Sequence, residues 1–256
     1  MRYAKEYYDI FNNPSKASRI LLLNKDKRRL VMSAMANLSR YLGIYGYWKD
    51  IVENVGLKYE RRSGLETIID IIDSNLDDVK TWLINVIQRL PRPHGVVLAF
   101  NALTGLRPSE GCISCKLLSD LSEKGNIAYY LDKELMMLQH FKYKDLFLRG
   151  NKNAYISFVT EDLLKKILET KPRATYSQIK SALRKRGFNC QMKNLRKLHA
   201  TKLRKYLNKE VIDLLQGRIS QDIFVRHYYK PTLMKVRDKA LKGIKSLQNE
   251  LLETLQ

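Results

Sequence analysis

Long apolar segments are absent from this chain of 256 residues. No stretch reaches the roughly 18 consecutive apolar residues that indicate a membrane-spanning helix. The first residues, MRYAKEYYDIF, lack the apolar core of a signal peptide. These two absences argue against a membrane-spanning protein and against a secreted one, so we expect an intracellular protein without a membrane partner.

Cysteine is scarce, with three residues in the whole sequence: Cys112, Cys115 and Cys190. That number is too small for a disulfide framework and fits a reducing compartment. Cys112 and Cys115 form a CxxC pair, but no second CxxC and no nearby pair of histidines completes a zinc site. The same spacing on a helix is typical of two small core residues. We therefore expect no metal and no cofactor.

Acidic residues are few relative to basic ones. The 26 Asp and Glu residues stand against 47 Lys and Arg residues, which gives a formal net charge of +21. Such an excess favours a polyanionic partner, and duplex DNA is the natural candidate. Charge alone leaves a basic membrane-surface protein and a ribosome-associated protein open.

Internal repeats and low-complexity tracts are also missing, so ordinary helix and strand patterns define the organisation. Between Asp26 and Leu42 apolar residues recur at helical spacing, which predicts a basic amphipathic helix. Its apolar stripe is Leu30, Val31, Ala34, Met35, Leu38 and Leu42. A polar, charged segment at 59–64 predicts a linker. We expect a small helical domain over residues 1–62 and a larger domain with a C-terminal helical tail over residues 63–256.

Helical patterns fill most of the second domain, with one interruption. Three short runs rich in β-branched or aromatic residues alternate with charged turns: NIAYYLD, ELMMLQHFK and NAYISFV. They predict an antiparallel sheet of two or three strands. Thr160 is expected to cap the next helix, and Thr175 with Gln178 predicts a capping box. The fold class is mainly α with a small antiparallel β-sheet.

Three basic motifs follow one another along the second domain and end in a pair of tyrosines. They read TGLRPSE, then KNLRKLHAT, then GRIS followed by VRHYYKP. Breaking a phosphodiester with a protein nucleophile requires cations that neutralise the non-bridging oxygens, an attacking group, and a proton donor for the leaving oxygen. Planar guanidiniums suit the first task because they donate parallel hydrogen bonds to phosphate. This order of residues indicates DNA strand transfer through a tyrosine.

The three motifs, taken in order from Leu98 to Pro231, resemble the catalytic boxes of the tyrosine recombinases, particularly integrases of archaeal viruses and plasmids. The set is specific although no single box would suffice. The resemblance implies a helical core DNA-binding domain, an α+β catalytic domain, and a clamp of both around duplex DNA. It also implies monomers that form a homotetramer on synapsed attachment sites.

Carried over box by box, the resemblance makes Arg107 and Arg196 the two catalytic arginines, with Glu110 orienting Arg107. Lys193 stands where most of the family has histidine, and Arg218 stands where it has histidine or tryptophan. Neither can act as a neutral base, so both are expected to donate to phosphate. The alternative is that both contact only neighbouring backbone phosphates.

The nucleophile is expected at Tyr228, with Tyr229 as the alternative. The family spacing from Arg218 falls on His227, so a one-residue insertion makes Tyr228 the nearest phenol. The general acid of the family is a lysine on a β-hairpin. Lys142 fits best here, and Lys144 and Lys152 remain open.

A second set of cations surrounds the second arginine box and is expected to follow DNA phosphates. It comprises Lys180, Arg184, Lys185, Arg186, Lys197 and Lys202. The apolar stripe of the C-terminal helix predicts docking, either onto its own domain or, as we favour, into a neighbouring protomer. His199 is expected to be a packed core residue.

Three rival functions remain at this point. A type IB topoisomerase uses the same chemistry without partner sites. A catalytically inactive DNA-binding remnant would keep the charge and lose cleavage. A basic RNA-binding module is disfavoured because neither an RRM aromatic signature nor a KH loop is present.

Overall fold

The computed structural model describes residues 2–59, 63–72, 75–150, 152–219 and 232–255. The chain divides into two compact units, Met1–Ser74 and Asn75–Gln256. The predicted domain boundary between residues 62 and 63 lies earlier in the chain than this division and stays a prediction.

The first unit is helical. Its helices are α1 (Arg2–Tyr7), α2 (Lys25–Tyr41), α3 (Tyr45–Asn54) and α4 (Gly64–Ile72), with 3₁₀ turns at Tyr8–Ile10 and Pro14–Ile20. Helix α2 begins where Asn24 accepts a hydrogen bond from the Lys27 backbone N–H. Helix α4 groups with this unit, and Lys25 donates to the Glu66 carboxylate at 2.9 Å.

The buried face of α2 differs from the predicted stripe. Val31 and Met35 lie in the core as predicted, together with Met32 and Ala36. Leu30 and Leu42 are exposed, and Ala34 and Leu38 line an apolar groove beside α1 with Tyr8 and Tyr41. The buried face is narrower than the predicted stripe, because periodicity alone does not show which side of an apolar face receives neighbouring helices.

The second unit contains the larger core. Its helices are α5 (Leu76–Arg89), α6 (Arg92–Thr104), α7 (Pro108–Glu123), α8 (Lys144–Phe147), α9 (Glu161–Thr170), α10 (Tyr176–Lys185), α11 (Met192–Leu203), α12 (Lys209–Leu215) and α13 (Leu233–Thr254). The predicted caps form: Thr160 accepts from the Leu163 N–H, and Thr175 and Gln178 make the reciprocal capping box.

Helix α6 lies at the centre of this unit. Every residue from 95 to 104 is buried, as expected for a helix that is apolar on all sides. It packs against α5, α7, α9, α11 and α13. The helix ends at Gly105, which adopts the left-handed conformation, and the chain reaches Arg107 two residues later.

The β-structure is small and antiparallel, as the fold class predicted. One sheet has the strand order β1 (Leu131–Asp132), β2 (Met137–Gln139) and β5 (Ile156–Phe158). A second pairing, which lies between β2 and β5 in sequence, joins β3 (Leu148–Arg149) to β4 (Lys152–Asn153). The two short strands β3 and β4 form a hairpin, which we call the β3–β4 hairpin.

Helix α13 packs within its own unit. Its apolar stripe is buried against α5, α6, α11 and β5. Gln248 accepts a hydrogen bond from Thr160, and Glu250 pairs with Lys80. Within the single chain the stripe covers complementary apolar surface on its own domain. Exchange of the helix between protomers stays a prediction. No helix among the described residues is long and apolar enough to cross a membrane.

Candidate active site

Arg107 is held at the N-terminus of α7. The Glu110 carboxylate accepts the Arg107 backbone N–H at 3.0 Å and the Arg107 Nη1 at 2.8 Å. Glu110 has no exposed surface, whereas 24% of the Arg107 side chain is exposed. The Glu110 carboxylate therefore holds the Arg107 guanidinium in place and leaves part of it accessible to an anion.

A second guanidinium reaches the same carboxylate. Nη2 of Arg149, on β3, lies 3.3 Å from Oε1 of Glu110, the oxygen that also accepts from Arg107. The Arg149 side chain is 43% exposed. One buried carboxylate therefore accepts hydrogen bonds from two guanidiniums.

Arg196 is anchored by the backbone segments that carry the other two motifs. Its Nη1 donates to the Gly105 carbonyl at 3.1 Å, and its Nη2 donates to the Gln216 carbonyl. The Gln216 side chain donates in return to the Arg196 carbonyl at 3.0 Å. Arg196 thus connects the segment before Arg107 to the segment before Arg218.

The charge environment shows that the three arginines are neighbours. Burial lowers the pKa of Arg196 to about 10, and the positive charges of Arg107 and Arg218 act in the same direction. Glu110 and Asp213 oppose this shift. Arg196 is still charged at neutral pH, and its cluster with the other two guanidiniums favours binding of an anion.

Arg218 follows a tight turn at the end of α12. Its Nη1 donates to the Asp213 carboxylate at 3.0 Å, and its backbone N–H donates to the Asp213 carbonyl at 2.8 Å. The side chain is 60% exposed. Gly217 precedes it with φ +68°, and a Cβ atom at that position would overlap the carbonyl oxygen of Asn153.

Asn153 brings the β3–β4 hairpin into the cluster. Its carbonyl accepts from Arg107 Nη1 at 3.0 Å, and its side-chain oxygen accepts from the Arg149 backbone N–H at 2.9 Å. Its side-chain nitrogen donates to the Tyr155 hydroxyl at 3.0 Å. The hairpin is therefore attached to the arginine cluster through one residue.

The three candidate lysines for the general acid lie in different surroundings. Lys152 is exposed on β4, next to Asn153 and opposite Arg149 in the hairpin register. The Lys142 ammonium lies 4.9 Å from the ring centroid of Tyr129, as in a cation–π contact. Lys144 is exposed at the first position of α8.

Helix α11 presents the second box. Lys193 is exposed one turn before Arg196. His199 is buried, as expected, with its ring against Gly105 and its Nδ1 without a hydrogen-bond partner among the described residues. Burial, aided by the charge of Arg196, lowers the pKa of His199 to about 3. His199 is therefore neutral and structural.

A buried polar chain underlies the sheet. The Tyr130 hydroxyl lies 2.9 Å from the Ser114 hydroxyl and 2.6 Å from Nδ1 of His140, and Nε2 of His140 lies 2.9 Å from the Ser157 hydroxyl. Burial lowers the pKa of His140 to about 3, so the imidazole is neutral. These hydrogen bonds connect α7, through Tyr130 and through His140 directly after β2, to strand β5.

The predicted DNA-facing cations lie on α10, α11 and the turn that follows α10. All are exposed except Lys202, which is partly buried. Within the described part of the chain none of them forms an ion pair with a carboxylate. The set comprises Lys180, Arg184, Lys185, Arg186, Lys197 and Lys202.

The predicted nucleophile and its neighbours are not part of the described structure. Tyr228, Tyr229 and His227 lie outside the described residues.

The CxxC pair is buried. Cys112 and Cys115 lie on α7, and burial raises the pKa of Cys112 to about 12. The described residues contain no group of three or more His, Cys, Asp or Glu side chains that could hold a metal ion.

The sequence motifs do not identify three residues of the cluster: Arg149, Asn153 and Gln216. Arg149 and Asn153 lie in a segment crowded with lysines, where a charge run indicates only a solvated loop. Gln216 acts through its backbone carbonyl and through a reciprocal bond to Arg196. The sequence feature that could have identified Gln216 is its position directly before the GRIS motif.

Comparison with known families finds a match within the second unit. A family model described as archaeal phage integrase matches residues 127–242, which include Lys193, Arg196 and Arg218. The curated proteins and the solved structures yield no significant match. The match confirms the resemblance read from the motifs, and residues 127–242 are similar to archaeal phage integrases.

Proposed function

We propose that the protein is a site-specific DNA recombinase that cleaves and rejoins strands through a covalent 3′-phosphotyrosine, integrating or excising a mobile element. The cluster of Arg107, Arg196 and Arg218, in which the side chains of Arg107 and Arg218 are partly exposed, carries this proposal. The integrase match over residues 127–242 supports the same class of reaction.

The arginine cluster fits a scissile phosphate. Arg107, Arg196 and Arg218 supply three positive charges toward the phosphate, and Arg149 supplies a fourth that pairs with Glu110. Glu110 and Asp213 supply two negative charges, which leaves an excess of two positive charges. A phosphodiester that accepts a nucleophile gains negative charge on its non-bridging oxygens. Guanidiniums that are already held by buried partners stabilise that charge without reorganising.

The nucleophile in this proposal is Tyr228, which follows Arg218 closely in the sequence. A free phenol has a pKa near about 10, and a pocket of cations favours its deprotonated form. The phenolate oxygen bonds to phosphorus as the bond from phosphorus to the 5′ oxygen breaks. A 5′ hydroxyl can then attack the phosphotyrosine and restore the phosphodiester, so no external energy source is required.

The leaving 5′ oxygen takes a proton from a hairpin lysine. The contacts of Asn153 favour Lys152 over Lys142 for this role, because Lys152 is adjacent to the residue whose carbonyl binds Arg107. Lys142 is engaged with the Tyr129 ring. A proton donor has to lie within hydrogen-bond reach of the reacting atom, and geometry therefore takes priority over residue type.

Double-stranded DNA carrying attachment sites is the proposed substrate. The exposed cations on α10 and α11 flank the second arginine box and would follow the phosphate backbone, which gives affinity without sequence choice. We propose a monomer in isolation and a homotetramer on synapsed sites, because exchange of two duplexes requires four cleavages.

Recombination between two plasmid-borne candidate attachment sites tests this function. Wild type should yield recombinant products, Arg196→Ala should yield none, and Arg173→Ala should behave as wild type. Arg173 pairs with Asp120 and Glu123 at the far end of α7 and so provides a matched change of charge.

Two other outcomes identify the rival functions. Relaxation of supercoiled plasmid without any attachment site would indicate a type IB topoisomerase. Salt-sensitive DNA binding without relaxation, recombination or covalent adduct would indicate a catalytically inactive DNA-binding remnant.

A further inference from the structure

Arg149 is the member of the arginine cluster that neither the motifs nor the proposed chemistry assigns. It lies on β3, outside the three basic motifs. Its guanidinium nevertheless reaches Glu110, the carboxylate that holds Arg107. A role for Arg149 has to follow from these contacts.

The backbone of Arg149 takes part in the pairing of the two hairpin strands. Arg149 pairs with Lys152 in the register of β3 and β4, and its N–H donates to the Asn153 side chain at 2.9 Å. The hairpin strands have two residues each, and an isolated hairpin of this length is not stable in water. Its conformation therefore depends on attachments to the rest of the domain.

Two attachments reach the hairpin from the arginine cluster. On the β4 side, the Asn153 carbonyl accepts from Arg107 at 3.0 Å. On the β3 side, the Arg149 guanidinium donates to Glu110 at 3.3 Å. Lys152 lies between Arg149 and Asn153 in the sequence of the hairpin. The two contacts together therefore hold the backbone on both sides of Lys152.

We propose that Arg149 is a positioning residue, which anchors the β3–β4 hairpin to Glu110 and thereby places Lys152 to protonate the leaving 5′ oxygen. This inference rests on the proposed function. Loss of the Arg149 side chain leaves Glu110 paired with Arg107, so no buried carboxylate is left without a partner. The hairpin would lose its contact with Glu110 on the β3 side while the phosphate-binding arginines keep their contacts.

The proton transfer provides a direct test. In normal DNA the bond from phosphorus to the 5′ oxygen breaks while Lys152 gives a proton to that oxygen. In DNA with sulfur at the bridging 5′ position, the leaving thiolate is stable without a proton. A residue that acts through Lys152 therefore matters for the oxygen substrate and not for the sulfur substrate.

The experiment measures single-turnover formation of the covalent adduct on both substrates with the full chain. The variants are Arg149→Ala, Arg149→Lys, Lys152→Ala, Arg107→Ala and the matched control Arg173→Ala, whose side chain is 50% exposed against 43% for Arg149. Thermal unfolding of each variant accompanies the rates.

We expect Arg149→Ala to slow cleavage of the oxygen substrate about 10- to 100-fold, part of the ~10²–10⁴-fold contribution of a general acid. The sulfur substrate should restore Arg149→Ala and Lys152→Ala to the wild-type rate and leave Arg107→Ala slow. Arg149→Lys, which can still pair with Glu110, should keep most of the activity, and Arg173→Ala should match wild type.

A defect of Arg149→Ala that persists on the sulfur substrate would overturn the inference, because Arg149 would then act on the phosphate itself or on folding. Equal rates of Arg149→Ala and wild type on the oxygen substrate would overturn it as well. Absence of any adduct with wild type on both substrates would instead refute the proposed function, and the role of Arg149 with it.

Discussion

The carbonyl oxygen of Asn153 occupies the space that a Cβ atom on Gly217 would need. The same oxygen accepts a hydrogen bond from Arg107 at 3.0 Å. Asn153 therefore joins the hairpin to the first arginine motif and to the turn that presents Arg218. Three segments that are distant in sequence meet at one backbone carbonyl.

Gly217→Ala should consequently disrupt the cluster. The new methyl group would push the Asn153 carbonyl away from Arg107, and φ +68° is itself unfavourable for alanine by about 1–2 kcal/mol. Gly125 has φ +70° with open space around it, so Gly125→Ala carries only the conformational cost. Chemical denaturation and adduct formation should show a larger loss of stability, and a loss of cleavage, for Gly217→Ala alone. Equal behaviour of the two variants would contradict the close approach of Gly217 to Asn153.

Stability should depend on pH through two buried histidines. Burial lowers the pKa of His140 and of His199 to about 3, from an ordinary value of 6.5. Between these values the unfolded chain binds protons that the folded protein does not. The free energy of unfolding should therefore fall as pH decreases from about 6.5 toward 3, by up to about 1.4 kcal/mol per pH unit for each histidine.

Urea unfolding of wild type and His199→Gln at about pH 7 and about pH 5 measures this contribution. The variant removes one titrating group, so its unfolding free energy should change less between the two pH values. The comparison of slopes is informative even if the substitution lowers stability at both. An unchanged slope would show that His199 is accessible to protons in the folded protein.

DNA binding should respond to salt through the cations of α10. Lys180→Gln with Arg184→Gln should lower the slope of log K against log salt by about 0.9 for each phosphate that the variant no longer neutralises. Lys165→Gln with Lys166→Gln makes the same change of charge on α9, where Asp162 and Glu169 are neighbours. Fluorescence anisotropy titrations over a salt series should separate the pairs. Equal slopes for both pairs would place the DNA-binding surface elsewhere.

The C-terminal helix should contribute to stability within one protomer. Leu247 is buried in the core of the second unit, so Leu247→Ala should cost about 2–5 kcal/mol, whereas Lys245→Ala on the exposed face should cost less than about 0.5 kcal/mol. The unfolding midpoint should not depend on protein concentration. A midpoint that rises with concentration would indicate that the helix is exchanged between protomers.

The sequence was sufficient for the elements whose signals are local. Thr160 and Thr175 cap the helices that the sequence predicts, because a capping side chain bonds within three residues. Gly105 ends α6 because it tolerates a positive φ. The helical class and the small sheet followed from periodicity and composition.

The details of the site depended on tertiary contacts that a linear pattern does not encode. Nothing in the sequence indicates that Arg149 would meet Glu110 across 39 positions, or that Arg196 would bond to carbonyls of residues 105 and 216. The choice among the hairpin lysines was open for the same reason. The fold-back of α13 also depended on whether its own domain offers a complementary apolar surface.

The central claim is that a tyrosine of this chain becomes covalently joined to DNA inside the arginine cluster. A suicide substrate carrying a candidate attachment site, followed by a denaturing gel and mass spectrometry of the trapped peptide, measures this directly. The account predicts an adduct on Tyr228 that is lost in Tyr228→Phe and in Arg196→Ala and retained in Tyr229→Phe. Failure to trap any adduct on substrates that the protein binds would contradict it.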